Sequence, residues 1–220
     1  MAIKVKILKK NQDIQDALQF RGRIMHSAFG IDSALDQDQY DHMAYHIVAR
    51  DHDRVVGYYR AIVDGPLGFY TESEFDISGL NLPRDRVLEI GRAAVDPEFR
   101  NPAIIPMLWG RVIELAQQLD CKWIMGAASI RPVECNVHLA RDHWQTKYHY
   151  IQDDHAVPLH PYQESSVTDE LNIPKLLQVY ERLGARIVSD PAWDPEFQTA
   201  DVVTLLDLDE INQRWLERLI

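Results

Sequence analysis

Glu89 stands in the β-forming run Leu88-Glu89-Ile90, where strand alternation turns its carboxylate to the face opposite the flanking apolar side chains. Partial burial raises the pKa of such a carboxylate and fits it to take a proton from an attacking ammonium, directly or through water. An ion pair with Arg92 or Arg60 is its other reading. Arg92 follows three residues later, so strict alternation turns it away from Glu89, and a bulge between them would restore a common face. Its guanidinium fork suits a carboxylate, either on a substrate or in an ion pair with Asp76 or Glu74. Glu72, Glu74 and Asp76 alternate beside Phe69, Tyr70 and Phe75. That row reads either as a wall for a cationic group or as a solvated loop.

Other chemistries find less support. His138, His143, His149, His155 and His160 crowd one stretch, with Cys135 three residues before the first. Zinc sites favour H-x3-H-like spacings with Cys or carboxylate partners, and none is formed here, so no metal site is expected. Ser129 lacks the G-x-S-x-G elbow of a serine hydrolase. Cys121 and Cys135 suit reduced thiols rather than a disulfide framework. The net charge of −11 excludes a nucleic-acid binder, which needs a basic face. No apolar run approaches the ~20 residues of a membrane span, and no signal-peptide pattern follows Met1. The expected location is the cytoplasm.

Several elements must position these residues. A short strand at Val5 to Leu8 precedes a helix with Asn11 as N-cap and Asp13 and Asp16 in its first turns. Ile14, Leu18, Met25 and Ala28 form its apolar stripe. The acidic segment Asp32 to Asp41 reads as a mobile or helical connection. Tyr45–Arg50 and Val55–Val63 read as a hairpin, and Val87–Val95 as a further strand. Ile104, Ile105, Leu108, Val112, Leu115, Ala116 and Leu119 recur at helical spacing. Lys122–Ile130 is a buried strand, while residues 131–172 lack regular periodicity. Pro174 opens a helix that Gly184 ends, and strands at Ala185–Val188 and Asp201–Leu208 close the chain. The 220 residues, 46% of them hydrophobic, suffice for one core and a single α/β domain over 1–220.

That order, with the strand-turn-helix from Leu88 to Leu119, resembles the GNAT superfamily. Four segments resemble, more closely, the acyl-carrier-dependent ornithine N-acyltransferases, often labelled hemolysin-like, and related N-acyl amino acid synthases. They are Gly68 to Asp76; Leu88-Glu89-Ile90-Gly91-Arg92; Leu183-Gly184-Ala185-Arg186; and Pro191 to Phe197 with Leu205 to Leu208. Acyl-homoserine-lactone synthases share the Glu-x-x-Arg strand.

The resemblance implies a mixed, splayed sheet with helices on both faces, and residues 131–172 covering the cleft as an irregular insertion. It implies Glu89 as catalytic base and an acceptor site at Arg92, Glu74 and Asp76. The acyl donor falls to the backbone of Ala94, Val95 and Asp96 and to Arg100, Ala103 and Ile104 at the next helix. The family's R-x-x-G-x-G/A loop corresponds to Arg100 to Ile105, with Ala103 and Ile105 at its small positions. That change favours acyl carrier protein over coenzyme A as donor. No resident cofactor is implied, since acyl carrier protein or acyl-coenzyme A enters as co-substrate. The partners implied are the carrier protein, met by a basic patch of Arg100, Arg111, Arg141 and Lys147, and an amino acid, most readily ornithine. A lipid product would bring peripheral association with the inner membrane face. The alternatives are a synthase of N-acyl amino acid or acyl-homoserine-lactone-type signals and, from another class, a non-catalytic acyl-binding or regulatory module.

Overall fold

The computed structural model describes residues 3–8, 14–30, 36–99, 103–148, 155–164, 167–212 and 214. Arg100, Asn11 and Asp13 lie outside the described residues. The strands are β1 (Ile3–Leu8), β2 (Tyr45–Asp51), β3 (Arg54–Val63), β4 (Phe75–Asp76) and β5 (Val87–Val95). After them come β6 (Trp123–Ile130), β7 (Val157–Pro158), β8 (Arg186–Ile187), β9 (Ala192–Asp194) and β10 (Thr199–Asp207). The helices are α1 (Gln15–Phe29), α2 (Ile104–Gln118), α3 (Val137–Tyr148) and α4 (Lys175–Leu183).

The main sheet runs β1-β2-β3-β5-β6-β10-β8, with β9 also paired to β10, while β4 and β7 form a separate pair. Its neighbours are antiparallel except β5 and β6, which are parallel. Those two strands pair only at Val87↔Trp123, Leu88↔Ile124 and Glu89↔Met125, and then diverge. The expected splay is therefore present. Gly126 permits the crowding at its apex, because a Cβ there would lie 2.2 Å from the Ile90 carbonyl oxygen.

Strand alternation sends Ile47 and Tyr59 to one face and Val48 and Tyr58 to the other. On the first face α2 packs Ile104, Leu108 and Val112, all fully buried. On the second, α1 packs Ala17, Phe20 and Met25. Helices thus cover both faces, as a sheet with two apolar faces requires. Burying a side chain such as Leu108 contributes about 1.5–3 kcal/mol, and truncating it to Ala costs about 2–5 kcal/mol.

Two segments take definite form where the sequence reading left them irregular or open. Residues 131–172 contain α3, whose Val137, Ala140 and Trp144 are fully buried at helical spacing. The histidines and prolines around that stripe obscured it. The acidic connection forms a turn at Gln39–His42, where Asp38 and Asp41 build a capping box. It is fixed by buried arginines. Arg21 Nε donates to Asp36 Oδ2 at 2.5 Å, and Arg21 Nη1 and Nη2 donate to Asp41 at 2.7 and 2.8 Å. Arg60 Nη1 donates to both Asp38 carboxylate oxygens at 2.6 and 2.7 Å. Such contacts join residues far apart in sequence, and periodicity cannot report them.

Candidate active site

A cavity of about 180 Å³ opens where β5 and β6 part. Glu89, Ile90, Gly91, Arg92 and Ala93 line it from β5, and Gly126, Ala127, Ala128 and Ser129 from β6. Met25 and Phe29 of α1, Leu176 and Tyr180 of α4, and Phe197 complete much of the wall. Among the described residues, none from 131–172 lines it. The described cover comes from the end of α1, from α4 and from the β9–β10 turn.

Glu89 is 3% exposed. Its Oε1 accepts from Thr71 N at 2.7 Å and Thr71 Oγ1 at 2.5 Å, and its Oε2 accepts from Tyr70 N at 2.7 Å. A carboxylate offers about four acceptor positions, so one remains, on Oε2. Burial raises the Glu89 pKa, while the bonds from Thr71 and Tyr70 and the charge of Arg60 hold it back. The residue is a buried carboxylate moved toward neutrality with a single lone pair to spare. It also pins the turn Tyr70–Ser73, a task that neither of its sequence readings included.

Arg92 does share the cavity with Glu89. On β3, Tyr58 pairs with Ala94 and Arg60 with Gly91, so Arg92 and Ala93 together oppose the single residue Tyr59. This is a β-bulge, and Arg92 carries its left-handed backbone at φ 51°. Its guanidinium lies over the rings of Tyr70 and Phe197, 5.1 and 5.0 Å from their centroids. Asp38 and Asp36 approach it at 3.3 and 3.6 Å. Its ion pairs are thus with that aspartate segment, where the sequence suggested Glu74 or Asp76. Arg92 Nε is buried without a hydrogen-bond partner among the described residues.

The acidic row divides. Asp76 is fully exposed and accepts from Ser78 N at 2.9 Å, so its proposed acceptor role is corrected: it caps a surface turn. Glu72 binds Arg84 at 2.7 Å. Glu74 faces the cavity, and there it meets Asp194 and Asp201, with carboxylate oxygens of all three within 4.8 Å of one another. Glu74 Oε2 is buried and unpartnered among the described residues. Asp201, 5% exposed, accepts from Thr199 Oγ1 at 2.7 Å and Ser129 Oγ at 3.1 Å. Burial, then the neighbouring Asp201 and Asp194 charges, push the Glu74 pKa up. Burial likewise raises Asp201, against the bond from Thr199. Three acids without an adequate counter-charge make a wall that a cation would relieve.

Of the donor-side backbone, Ala94 and Val95 pair in register with Tyr58 and Gly57, and Asp96 N donates to Val56 O at 3.0 Å. By antiparallel alternation Ala94 and Asp96 turn their backbone groups to β3, while those of Val95 point to the side from which β6 has diverged; Gly91 to Ala93 line the cavity. The Asp96 carboxylate accepts from Arg54 at 2.7 Å. Ala103 is the N-cap of α2, and Ile104 is buried in the core. Arg111, Arg141 and Lys147, expected in a basic patch, pair with Glu114, Asp142 and Glu181.

Residues 20–110 match the family model described as an acetyltransferase (GNAT) domain. An L-ornithine N(alpha)-acyltransferase of Agrobacterium fabrum is 30% identical over 82% of this chain and 70% of that protein. The chain belongs to this family of GNAT acyltransferases. A Brucella abortus relative of the same description is 26% identical over 98% of the acyltransferase and 88% of its own length. In fold, the acyltransferase resembles an N-acyl amino acid synthase from uncultured soil microbes. The TM-score is 0.60 at 15% identity, over 95% of this chain and 92% of that one. A coenzyme A-dependent acyl-homoserine lactone synthase gives 0.58 at 13%, over 99% and 88%.

Asp194, Asp201, Tyr70 and Phe197 of the acyltransferase escaped the sequence reading as site residues. Asp194 and Phe197 lie in a quoted family segment, but nothing in local periodicity turns them toward Glu89. Asp201 stands in the apolar run of β10, Asp201-Val202-Val203-Thr204-Leu205-Leu206, and a charge there was the available signal.

Proposed function

We propose that this acyltransferase moves a fatty acyl group from an acyl carrier protein thioester onto the α-amine of ornithine, forming a lyso-ornithine lipid. One observation carries the acceptor: the same cavity wall holds a buried donor and a buried acceptor that both lack partners among the described residues, Arg92 Nε and Glu74 Oε2. An amino acid with a cationic side chain satisfies both. Its carboxylate meets Arg92, and its distal ammonium meets Glu74, Asp194 and Asp201. Unpaired charge in such a site is costly, so a neutral acceptor binds poorly. The names of the relatives support ornithine.

In the reaction, the α-amine nitrogen bonds to the thioester carbonyl carbon and gives a tetrahedral oxyanion. Collapse breaks the carbon–sulfur bond and releases amide and thiolate. Glu89 takes the proton that the amine loses, through the free position on Oε2, and the thiolate is protonated on release. Transfer of this kind contributes about 10²–10⁴-fold to rate. Backbone groups along β5 beyond its last pair with β6, those of the Arg92–Ala93 bulge among them, are available to the oxyanion. The donor is a co-substrate, and no resident cofactor is invoked. No helix among the described residues is long and apolar enough to cross a membrane. Association with the bilayer through the lipid product is part of this proposal.

The test supplies acyl carrier protein thioester and ornithine to the purified chain and reads thiol release and product mass. N-acyl-ornithine with one thiol per amide supports the reading. Thioester binding without thiol release would make the chain an acyl-binding module instead. Equal use of short acyl-coenzyme A would remove the carrier-protein assignment.

A further inference from the structure

The turn that holds Glu89 is itself braced by an arginine that stands outside the cavity lining. The amides of Tyr70 and Thr71 in that turn reach the Glu89 carboxylate at 2.7 Å. The turn is built around Glu72. Its Oε2 accepts from Phe69 N at 2.8 Å, and Gly68, at φ 67°, leaves it room, since a Cβ there would lie 2.5 Å from that oxygen. Arg84 then fixes Glu72. Arg84 Nη1 and Nη2 donate to the two Glu72 oxygens at 2.8 and 2.7 Å. Its Nε and Nη2 donate to the two Asp64 oxygens at 3.1 and 2.8 Å. The guanidinium also lies over the Phe69 ring, 4.9 Å from its centroid. Isolated exposed ion pairs hold little, but two bidentate pairs sharing one fork form a network. Arg84 stands just ahead of β5 and Asp64 just after β3, strands that pair at Val63↔Leu88. One side chain thus ties the turn to the part of the sheet that carries Glu89. Tyr40 Oη also approaches the Leu67 and Phe69 carbonyls, but at 3.4 Å, too long for a strong bond.

We propose that Arg84 is a positioning residue for the proton acceptor, bracing the Tyr70–Ser73 turn through Glu72 so that its amides stay aimed at Glu89. The inference rests on the acyl-transfer reading above, in which Glu89 takes the proton. Amides aimed at a carboxylate favour its ionised form, so a loosened turn leaves burial less opposed and the Glu89 pKa higher. The other titratable groups around Glu89 are Arg60 on β3 and Arg92 on β5 with their aspartates, Tyr40 and Tyr70, and the acids Glu74, Asp194 and Asp201. The ion pairs of Arg84 are with Asp64 and Glu72, so replacing it leaves those groups in place.

The test compares the parent with Arg84→Met, Arg84→Lys, Glu72→Gln and the Arg84→Met, Glu72→Gln double variant. Glu89 is read by carbon NMR of protein labelled at the glutamate δ-carbon, its signal assigned by its loss in Glu89→Gln. Turnover of acyl carrier protein thioester with ornithine is followed against pH in parallel. In Arg84→Met the Glu89 titration and the acid limb of the rate should both move up by about 1 pH unit, as a weakened hydrogen bond to a charged group predicts. Arg84→Lys keeps the charge but loses the fork, so it should move the same way. The double variant should shift no further than Arg84→Met, because both changes act through one contact. A Glu89 titration that stays in place in Arg84→Met, a parent-like Arg84→Lys, or additive shifts in the double variant each overturns the inference. If Arg84→Met does not fold, Arg84→Lys and Glu72→Gln decide, and a Glu89 titration unmoved in both overturns it. A Glu89 signal that moves while the acid limb stays sinks Glu89 as the base alone, and the brace stands.

Discussion

Glu89 and Arg92 line one cavity because the backbone between β5 and its neighbour bulges at Arg92, with φ 51°. Regular alternation would have put them on opposite faces of the strand. The bulge therefore brings the proton acceptor and the carboxylate clamp that we propose into one site. Replacing Arg92 by glycine keeps a residue suited to the left-handed angle but removes the guanidinium from the acceptor side and from Asp36 and Asp38. The expected result is a lowered melting temperature together with an acceptor KM raised about 10–100-fold, the loss of a charged hydrogen bond. Unchanged acceptor kinetics would remove Arg92 from the acceptor site.

Thr71 tunes Glu89 through its hydroxyl, which donates to Oε1 at 2.5 Å. That bond favours the ionised form, so removing it raises the Glu89 pKa further. In Thr71→Val the acid limb of the rate profile should move to higher pH, while the plateau above it stays near the parent value. A limb that does not move would show that another group is titrating. Glu89→Gln is a less clean test. Its amide N–H₂ would face either Tyr70 N or the two donors of Thr71, and opposed donors cost about 1–3 kcal/mol of stability.

The ion network behind the site is built from Arg21, Arg60 and Arg92 with Asp36, Asp38 and Asp41. Arg21 is completely buried, so neutralising Asp41 strands part of its charge. Asp41→Asn should cost about 3–5 kcal/mol in denaturant unfolding. Burial opposes ionisation of Asp41, but the bonds and charge of Arg21, aided by Arg60, hold its pKa below the usual range. Its stabilisation is therefore complete above the unfolded-state pKa and is lost as pH falls toward the folded one. A cost under about 1 kcal/mol would contradict a buried network.

Glu74 works in the opposite sense. Its folded pKa is raised, so from the ordinary carboxylate range upward the native state holds a proton that the unfolded chain has lost. Stability from this site falls as pH rises through that window. Glu74→Gln should melt higher than the parent at pH ~8, by about 1 kcal/mol or more, while binding the cationic acceptor less well. A variant less stable than the parent at that pH would show that Glu74 is paired in the empty protein.

Much of this arrangement was legible in the sequence. Strand patterning located β2, β3, β5, β6 and β10, and the apolar stripes located α1, α2 and α4. Glu89 stood out as a charge between Leu88 and Ile90. The bulge at Arg92 was readable as a condition but not as a fact, because its cause is the pairing of β5 with β3. Asp76 and Glu74 looked equivalent by alternation, yet a turn at Ser78 turns one to solvent and the cavity takes the other. Asp194 and Asp201 reach the site through the β9–β10 hairpin, more than a hundred residues from Glu89. Helix α3 was hidden because polar residues separate its three buried contacts.

The central claim is that the cavity beside Glu89 selects an amino acid by the charge at its far end. Its most direct test is a competition between ornithine and norvaline, which share the backbone but differ in the distal ammonium, for one acyl carrier protein thioester. The ratio of their kcat/KM values should exceed about 100 in the parent protein, because norvaline leaves buried acids unpaired. It should fall by at least about 10-fold in Asp201→Asn and in Glu74→Gln. Equal use of the two acceptors by the parent, or a ratio untouched by both substitutions, would contradict the claim.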